Sequence, residues 1–192
     1  SINNELMDFN TLNPDDDYPI EEMNKEILLW AALTYESHLM PAKIPDPIYQ
    51  MYDSNDLRKT VFFNKNADNE ILFKGYYNNV NGPIVSVATD ELYLMAAECN
   101  ARLNKIQEGM GYLNNLLVKR WKTGTFVPIT AGSQTDALNI ISRERRKELL
   151  IRGVRWSDLK RYNRDGANIT LTRTVNGQTY TLPPNDLRYA IA

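Results

Sequence analysis

The chain has 192 residues, 43% apolar and 24% charged, enough to bury a sizeable core and far from the composition of a disordered chain. A net charge of -2 offers no broad basic field for nucleic acid or anionic lipid. The single cysteine, Cys99, excludes an internal disulfide, and no apolar run reaches the roughly 18 residues of a membrane span.

Residues 1–19 are polar, with Asn13-Pro14-Asp15-Asp16-Asp17 as a turn signal. Pro19-Ile20-Glu21-Glu22 predicts the start of a helix, its acidic residues placed where the helix dipole favours them. Its apolar positions Met23, Ile27, Leu28, Trp30, Leu33 and Tyr35 cover a wide arc, and Pro41, Pro45 and Pro47 end it. Ile48–Tyr52 reads as a helical turn. Val61-Phe62-Phe63 and Ile71-Leu72-Phe73 read as short strands, and Tyr76-Tyr77-Asn78-Asn79 as a loop.

From residue 90 the pattern turns helical. Thr89 is the expected N-cap, followed by Asp90 and Glu91 in the first turn, with Leu92, Ala96, Cys99 and Leu103 at helical spacing. A second helix carries Ile106, Met110, Leu113 and Leu117 on one face. Gly109 and Gly111 each weaken it by about 1 kcal/mol relative to Ala, which fits either a crowded crossing or plain tolerance. A third helix is predicted over 135–152, stopped by Gly153 in a left-handed conformation, and a fourth over 154–163. The first pair has the length of a tetratricopeptide unit. Residues 169–182 alternate about Asn176-Gly177, the signal of a type I′ hairpin, and the tail 183–189 reads as extended.

Few residues suit catalysis. His38 is the only histidine, so a Ser-His-Asp or Cys-His arrangement depends on it alone. Metal-ligand spacing of Cys and His is absent, and Asp15-Asp16-Asp17 lacks the alternating ligands and glycine of an EF-hand. No phosphate-cradling glycine loop appears. The expectation is no enzyme, no cofactor and no metal site.

The informative stretch is RERRKELLIRGVRWSDLKR, residues 143–161. On a helix Glu144 and Glu148 share a face with Ile140, Ile141 and Ile151, so at least one carboxylate is buried and requires a partner. Arg155, Arg161 or both are expected to supply it across the Gly153 turn. Glu144, Glu148, Arg155, Asp158 and Arg161 are thus read as a structural ion-pair clamp, setting register more than stability.

This run resembles the signature of the SusD/RagB family, a Glu-Arg-Arg-x-Glu-Leu helix followed by Gly-x-Arg-Trp-x-Asp-Leu-x-Arg. Glu144, Arg145, Arg146, Glu148 and Leu149 match the first half; Gly153, Arg155, Trp156, Asp158, Leu159 and Arg161 match the second. TDELYLMAAECNARL (89–103) looks like the family's Glu-x-Tyr-Leu-x-x-Ala-Glu-Ala helix, YDSNDLRKTVFF (52–63) is similar to its Asp-x-Arg segment, and LPPNDLRYAI (182–191) resembles its closing segment. Arg152 departs from the pattern, standing where the family often has an acidic residue.

The resemblance implies a mainly α, SusD-like fold of tetratricopeptide-like helical hairpins, with irregular loops and a small β-hairpin. Residues 1–192 would form one helical domain, the C-terminal portion of a longer protein, with helix pairs over 90–163 and the hairpin over 169–182. It implies a surface-exposed lipoprotein of the Bacteroidetes outer membrane, anchored by a lipid lying outside these residues. Such a protein binds an oligosaccharide or polysaccharide, or in some branches peptide, and passes it to a SusC-like TonB-dependent transporter without catalysis. A helical-repeat adaptor for other proteins is the alternative. Sugar faces stack on exposed rings while amides bind hydroxyls, so the candidate ligand residues are Tyr76, Tyr77, Asn78 and Asn79, then Trp30, Tyr35 and Trp121. Tyr76 and Tyr77 lead, because adjacent loop aromatics have few ways to be buried.

Overall fold

The computed structural model describes residues 4–30, 42–77 and 87–190. The chain divides into two compact units, residues 1–152 and 153–192.

In the first unit the N-terminal segment makes a 3-10 turn at Phe9–Thr11, capped by the Asp8 side chain, and then a short strand β1 (Ile27–Leu29). The helix expected from residue 20 does not form over the described part. Met23 sits at φ 54°, a left-handed value that breaks a helix. The Asn24 side chain donates to Glu21 O and accepts from Glu26 N, closing a local turn in its place. Its continuation, including Tyr35 and His38, lies outside the described residues.

Pro47 in the first turn of α1 (Asp46–Tyr49) costs no hydrogen bond there. A single turn, α2 (Arg58–Val61), takes in Val61, which the sequence pattern placed in a strand, and Phe62 caps it. β2 (Phe63–Lys65) then pairs antiparallel with β3 (Ile71–Phe73), and β4 (Val87–Ala88) pairs antiparallel with β1. These short pieces enclose an aromatic core of Phe9, Tyr52, Phe62, Phe63, Phe73, Tyr76 and Tyr77 with Ile20, Ile44 and Ile71. Its rings meet edge to face, as at Tyr52–Phe63 (5.0 Å) and Phe73–Tyr76 (4.9 Å), a geometry favoured by ring quadrupoles.

The helical layer follows. α3 (Thr89–Arg102) packs against α4 (Ile106–Leu117), and α5 (Gln134–Glu148) lies against both. Leu94, Ala97, Ala101, Leu113, Leu116, Leu117 and Ile141 fill the interior. A Cβ on Gly109 would stand 2.8 Å from Ala97 O and 3.1 Å from Ala101 N, so this glycine permits the close crossing. Gly111 faces open space and has no such duty. Thr89 is the first residue of α3 and not its side-chain cap; its N–H donates instead to Glu26 O at 2.8 Å. Ser133 caps α5 by accepting from Asp136 N. α5 ends at Glu148, four residues earlier than expected, and the chain turns through Ile151 at φ 61° and Gly153 at φ 77°.

The second unit holds α6 (Arg155–Arg164) and an antiparallel hairpin, β5 (Leu171–Val175) with β6 (Gln178–Leu182). Asn176 (φ 50°) and Gly177 (φ 76°) both take the left-handed values of a type I′ turn, as their sequence predicts. The buried Asn163 side chain bonds both the N–H and C=O of Ile169, fixing the exit from α6. Trp156 stacks on Tyr189 at 4.8 Å, and the tail closes in a 3-10 turn, Leu187–Ala190, where an extended segment was expected.

Candidate functional site

Two features compete as the site: a buried network of charges and an open groove.

The network answers the question of where Glu144 and Glu148 go. Both are buried, as their place on an apolar helix face requires. Their partners within the first unit are Arg58 and Arg120, which local sequence does not point to. Arg58 Nη1 donates to Glu148 Oε2 (2.9 Å) and Nη2 to Glu144 Oε2 (2.7 Å), while its Nε and Nη2 grip Asp56 (2.9 and 2.7 Å). Arg120 Nε donates to Glu148 Oε1 (2.7 Å), Nη1 to Met7 O (2.6 Å), and Nη2 to Glu26 Oε1 (2.8 Å). Lys147 Nζ lies 2.9 Å from Asp56 and 3.0 Å from Glu144. Arg161 pairs with Asp158 inside α6 at 2.9 Å. The physical reason for these pairings is reach. The side chains of Arg58 and Arg120 are wholly buried, so they can be satisfied only by carboxylates that come to them.

Burial by itself would lower the pKa of both guanidiniums; the facing carboxylates outweigh it, chiefly Asp56 and Glu144 for Arg58 and Glu148 and Glu26 for Arg120, and hold both well above the ordinary value. Burial pushes the Glu26 carboxyl up, against the pull of Arg120 and with the help of Asp90. Every one of these groups is spent on another protein group, so the network holds elements together and presents nothing to solvent.

The leading ring candidates are absorbed into this interior. Tyr76 and Tyr77 are only 3% and 2% exposed, which corrects the expectation of a loop platform. Tyr77 donates to Glu26 Oε2 (3.0 Å), approaches Asp90 Oδ2 (3.3 Å) and lies under the Arg152 guanidinium at 4.5 Å. Glu26 of the N-terminal segment and Asp90 of α3 both reach Tyr77, while Tyr76 packs edge to face on Phe73, burial that local sequence cannot show. Asn78, Asn79 and Tyr35 lie outside the described residues. Trp30 is exposed just past β1. Trp121 is half-buried against Phe126 (5.9 Å), and its indole N–H is buried with no acceptor among the described residues.

The groove has a volume of about 410 Å³, within the roughly 300–1,000 Å³ of ligand clefts. Its lining joins Asp15 and Asp17 of the acidic turn to Tyr49, Lys59, Thr60, Asn64 and Lys65 from α1, α2 and β2. Tyr49 is half-exposed, held edge to face on Phe63 (5.4 Å), with the Lys59 ammonium 4.9 Å from its ring centre. Lys74 anchors the acidic turn by donating to Pro14 O and to Asp16 O (2.9 Å). Burial lowers the pKa of this ammonium, and Asp15, Asp17 and Asp16 oppose the effect. A ring beside hydroxyl, amide, ammonium and carboxylate groups can stack on a sugar and bind its hydroxyls. The sequence reading missed this site because its walls are about 30 to 60 residues apart in the chain; Asp15-Asp16-Asp17 was noticed, though only as a solvated turn.

Among the described residues no group of three or more His, Cys, Asp or Glu side chains is placed to hold a metal, and no helix is long and apolar enough to cross a membrane. No curated protein matches the chain. Its fold is similar to that of a solved SusD-like carbohydrate binding protein from Bacteroides vulgatus ATCC 8482, with a TM-score of 0.59 and 22% identity over 94% of this chain. The chain spans only 44% of the length of that relative. Residues 89–191, more than half of the chain, match the SusD family, and with α3–α6 in the order their motifs require, the chain belongs to that family.

Proposed function

We propose that this chain is part of a non-catalytic glycan-binding protein of the cell surface, held at the outer membrane by a lipid anchor, which passes captured oligosaccharide to a SusC-like TonB-dependent transporter. Membership of the SusD family supports the reading. The observation that carries it at the level of residues is the open groove beside Tyr49, where a half-exposed ring meets the exposed side chains of Asp15, Asp17, Asn64 and Lys65. The buried carboxylates are all paired and serve the scaffold. Trp30, exposed nearby in sequence to β1, supplies a further stacking ring.

Calorimetry on the full-length protein across an oligosaccharide panel tests this. Saturable binding that Tyr49→Ala weakens by about 1–2 kcal/mol, the worth of one stacking ring, supports capture at the groove. Silence across the panel with a partner protein recovered instead supports the adaptor reading. Release of reducing sugar overturns the non-catalytic one.

A further inference from the structure

The charges on the groove walls carry the reading one step further, to the class of sugar. We infer that the groove selects uncharged oligosaccharides over both acidic and cationic ones; this rests on the capture reading above.

The groove lining carries both signs of charge. Asp15 and Asp17 are exposed on the acidic turn and Lys65 is exposed on β2, while Lys59, half-buried over Tyr49, already donates to Tyr52 O at 2.9 Å. Lys74 is consumed by the carbonyls of Pro14 and Asp16, so it fixes the acidic turn in place and leaves little to offer a ligand. Each hydroxyl of a neutral sugar donates and accepts, so it can satisfy carboxylate and ammonium alike. A uronic acid or sulfated sugar gains at the lysines what it loses at the aspartates, and it also sheds the hydration of its own charge. An amino sugar meets the same conflict with the signs reversed. Selection therefore comes from a lining of both signs that penalises any net charge. Phe63 and Tyr49 give the floor an apolar face that a sugar ring can cover without polar loss.

The test uses the full chain and ligands of matched length: neutral malto-, cello- and xylo-oligosaccharides, oligogalacturonides, glucosamine oligomers and unblocked tripeptides. The expected result is at least one neutral series bound about tenfold or more tighter than either charged sugar, with little change between low and high salt. Asp15→Lys/Asp17→Lys should bring oligogalacturonides above the neutral series. Because that pair lies beside Lys74, the exposed Lys65→Glu provides a second reversal, which should raise glucosamine oligomers instead. Circular dichroism checks that each variant keeps its fold. Wild-type preference for a charged sugar, or for the tripeptide zwitterion, overturns the inference and leaves capture standing. So does a neutral preference that neither reversal moves, since the sugar then binds elsewhere. Failure to bind any sugar overturns capture itself.

Discussion

The same tetrapeptide occurs twice in this chain, as Asn55-Asp56-Leu57-Arg58 and as Asn185-Asp186-Leu187-Arg188. Both copies fold into the same local device. In each, the arginine N–H and Nε donate to one aspartate oxygen (3.1 and 2.9 Å in the first, 2.9 and 2.8 Å in the second), and Nη2 donates to the other at 2.7 Å. Their surroundings differ completely. The Arg58 and Asp56 side chains are fully buried, whereas Arg188 and Asp186 keep 55% and 20% of theirs exposed. The spare Nη2 valence of Arg58 reaches a carboxylate, Glu144; that of Arg188 reaches a backbone carbonyl, Thr181 O. Identical geometry therefore carries different weight. In water an ion pair replaces hydration of nearly equal value, while inside the fold nothing else can hold the charges.

The sharpest way to break this comparison is Glu148→Ala. That residue serves Arg58 and Arg120 together, so its loss leaves two buried guanidiniums short of a partner. Urea denaturation should show about 3–5 kcal/mol of lost stability; a change below about 1 kcal/mol would mean that water enters the network. Arg58→Ala should approach the same loss, since Asp56, Glu144 and Glu148 each lose a partner and are left to Lys147 and Arg120 alone.

Acid separates the two copies next. Burial raises the Asp56 pKa, but Arg58 and Lys147 outweigh it and hold the carboxyl below its ordinary value of 3.8. Folded Asp56 thus binds fewer protons than unfolded Asp56. The stability it contributes is complete above the unfolded pKa and drains away as pH falls below about 4 toward the folded value. Urea midpoints measured from pH 6 down to 3 should fall for the native protein, and Asp56→Asn, less stable at pH 6, should show a flatter acid limb. The Asp186 carboxyl, drawn down to about 2 by its hydrogen bonds from Arg188, also loses its contribution as pH falls below about 4, but solvent screens this exposed pair, so Asp186→Asn should flatten the acid limb less than Asp56→Asn does.

Glycine poses the same question of context on α4. Gly109→Ala should destabilise by about 1–3 kcal/mol, because the new methyl meets backbone at Ala97 and Ala101. Gly111→Ala, with open space around it, should stabilise by up to about 1 kcal/mol. Equal effects would show that the crossing is not tight. The smallest effect is expected for Arg188→Ala, whose thermal midpoint should match that of the unaltered protein within measurement error.

Sequence disclosed what local rules govern. Asn176-Gly177 specifies its hairpin through backbone conformation alone, and the helical spacing of 90–117 and the burial of Glu148 follow from periodicity. It could not disclose partners that meet across the chain. Arg58 lies 90 residues from Glu148 and Arg120 lies 94 from Glu26, so nothing local to Glu148 points to either arginine. The repeated Asp-x-Arg was a signal for Arg58, but its exposed twin shows why the motif cannot report burial. The failed helix at residue 20 has the same origin: an apolar arc is indifferent to whether Glu26 must turn inward to meet Arg120. The groove escaped notice because Tyr49 gains its meaning only from a turn about 30 residues earlier.

Arg120 is also where the loosely structured N-terminal segment becomes a keystone. It takes the Met7 carbonyl and both oxygens of Glu26, while Met7 N–H donates back to the same carboxylate at 2.7 Å. A shortened expression clone starting at the proline-rich stretch near residue 45 would keep α1 to α6 and strip the guanidinium of its lid. Anyone trimming this protein for crystals should place the cut before Met7, however dispensable the irregular residues look on a secondary-structure diagram.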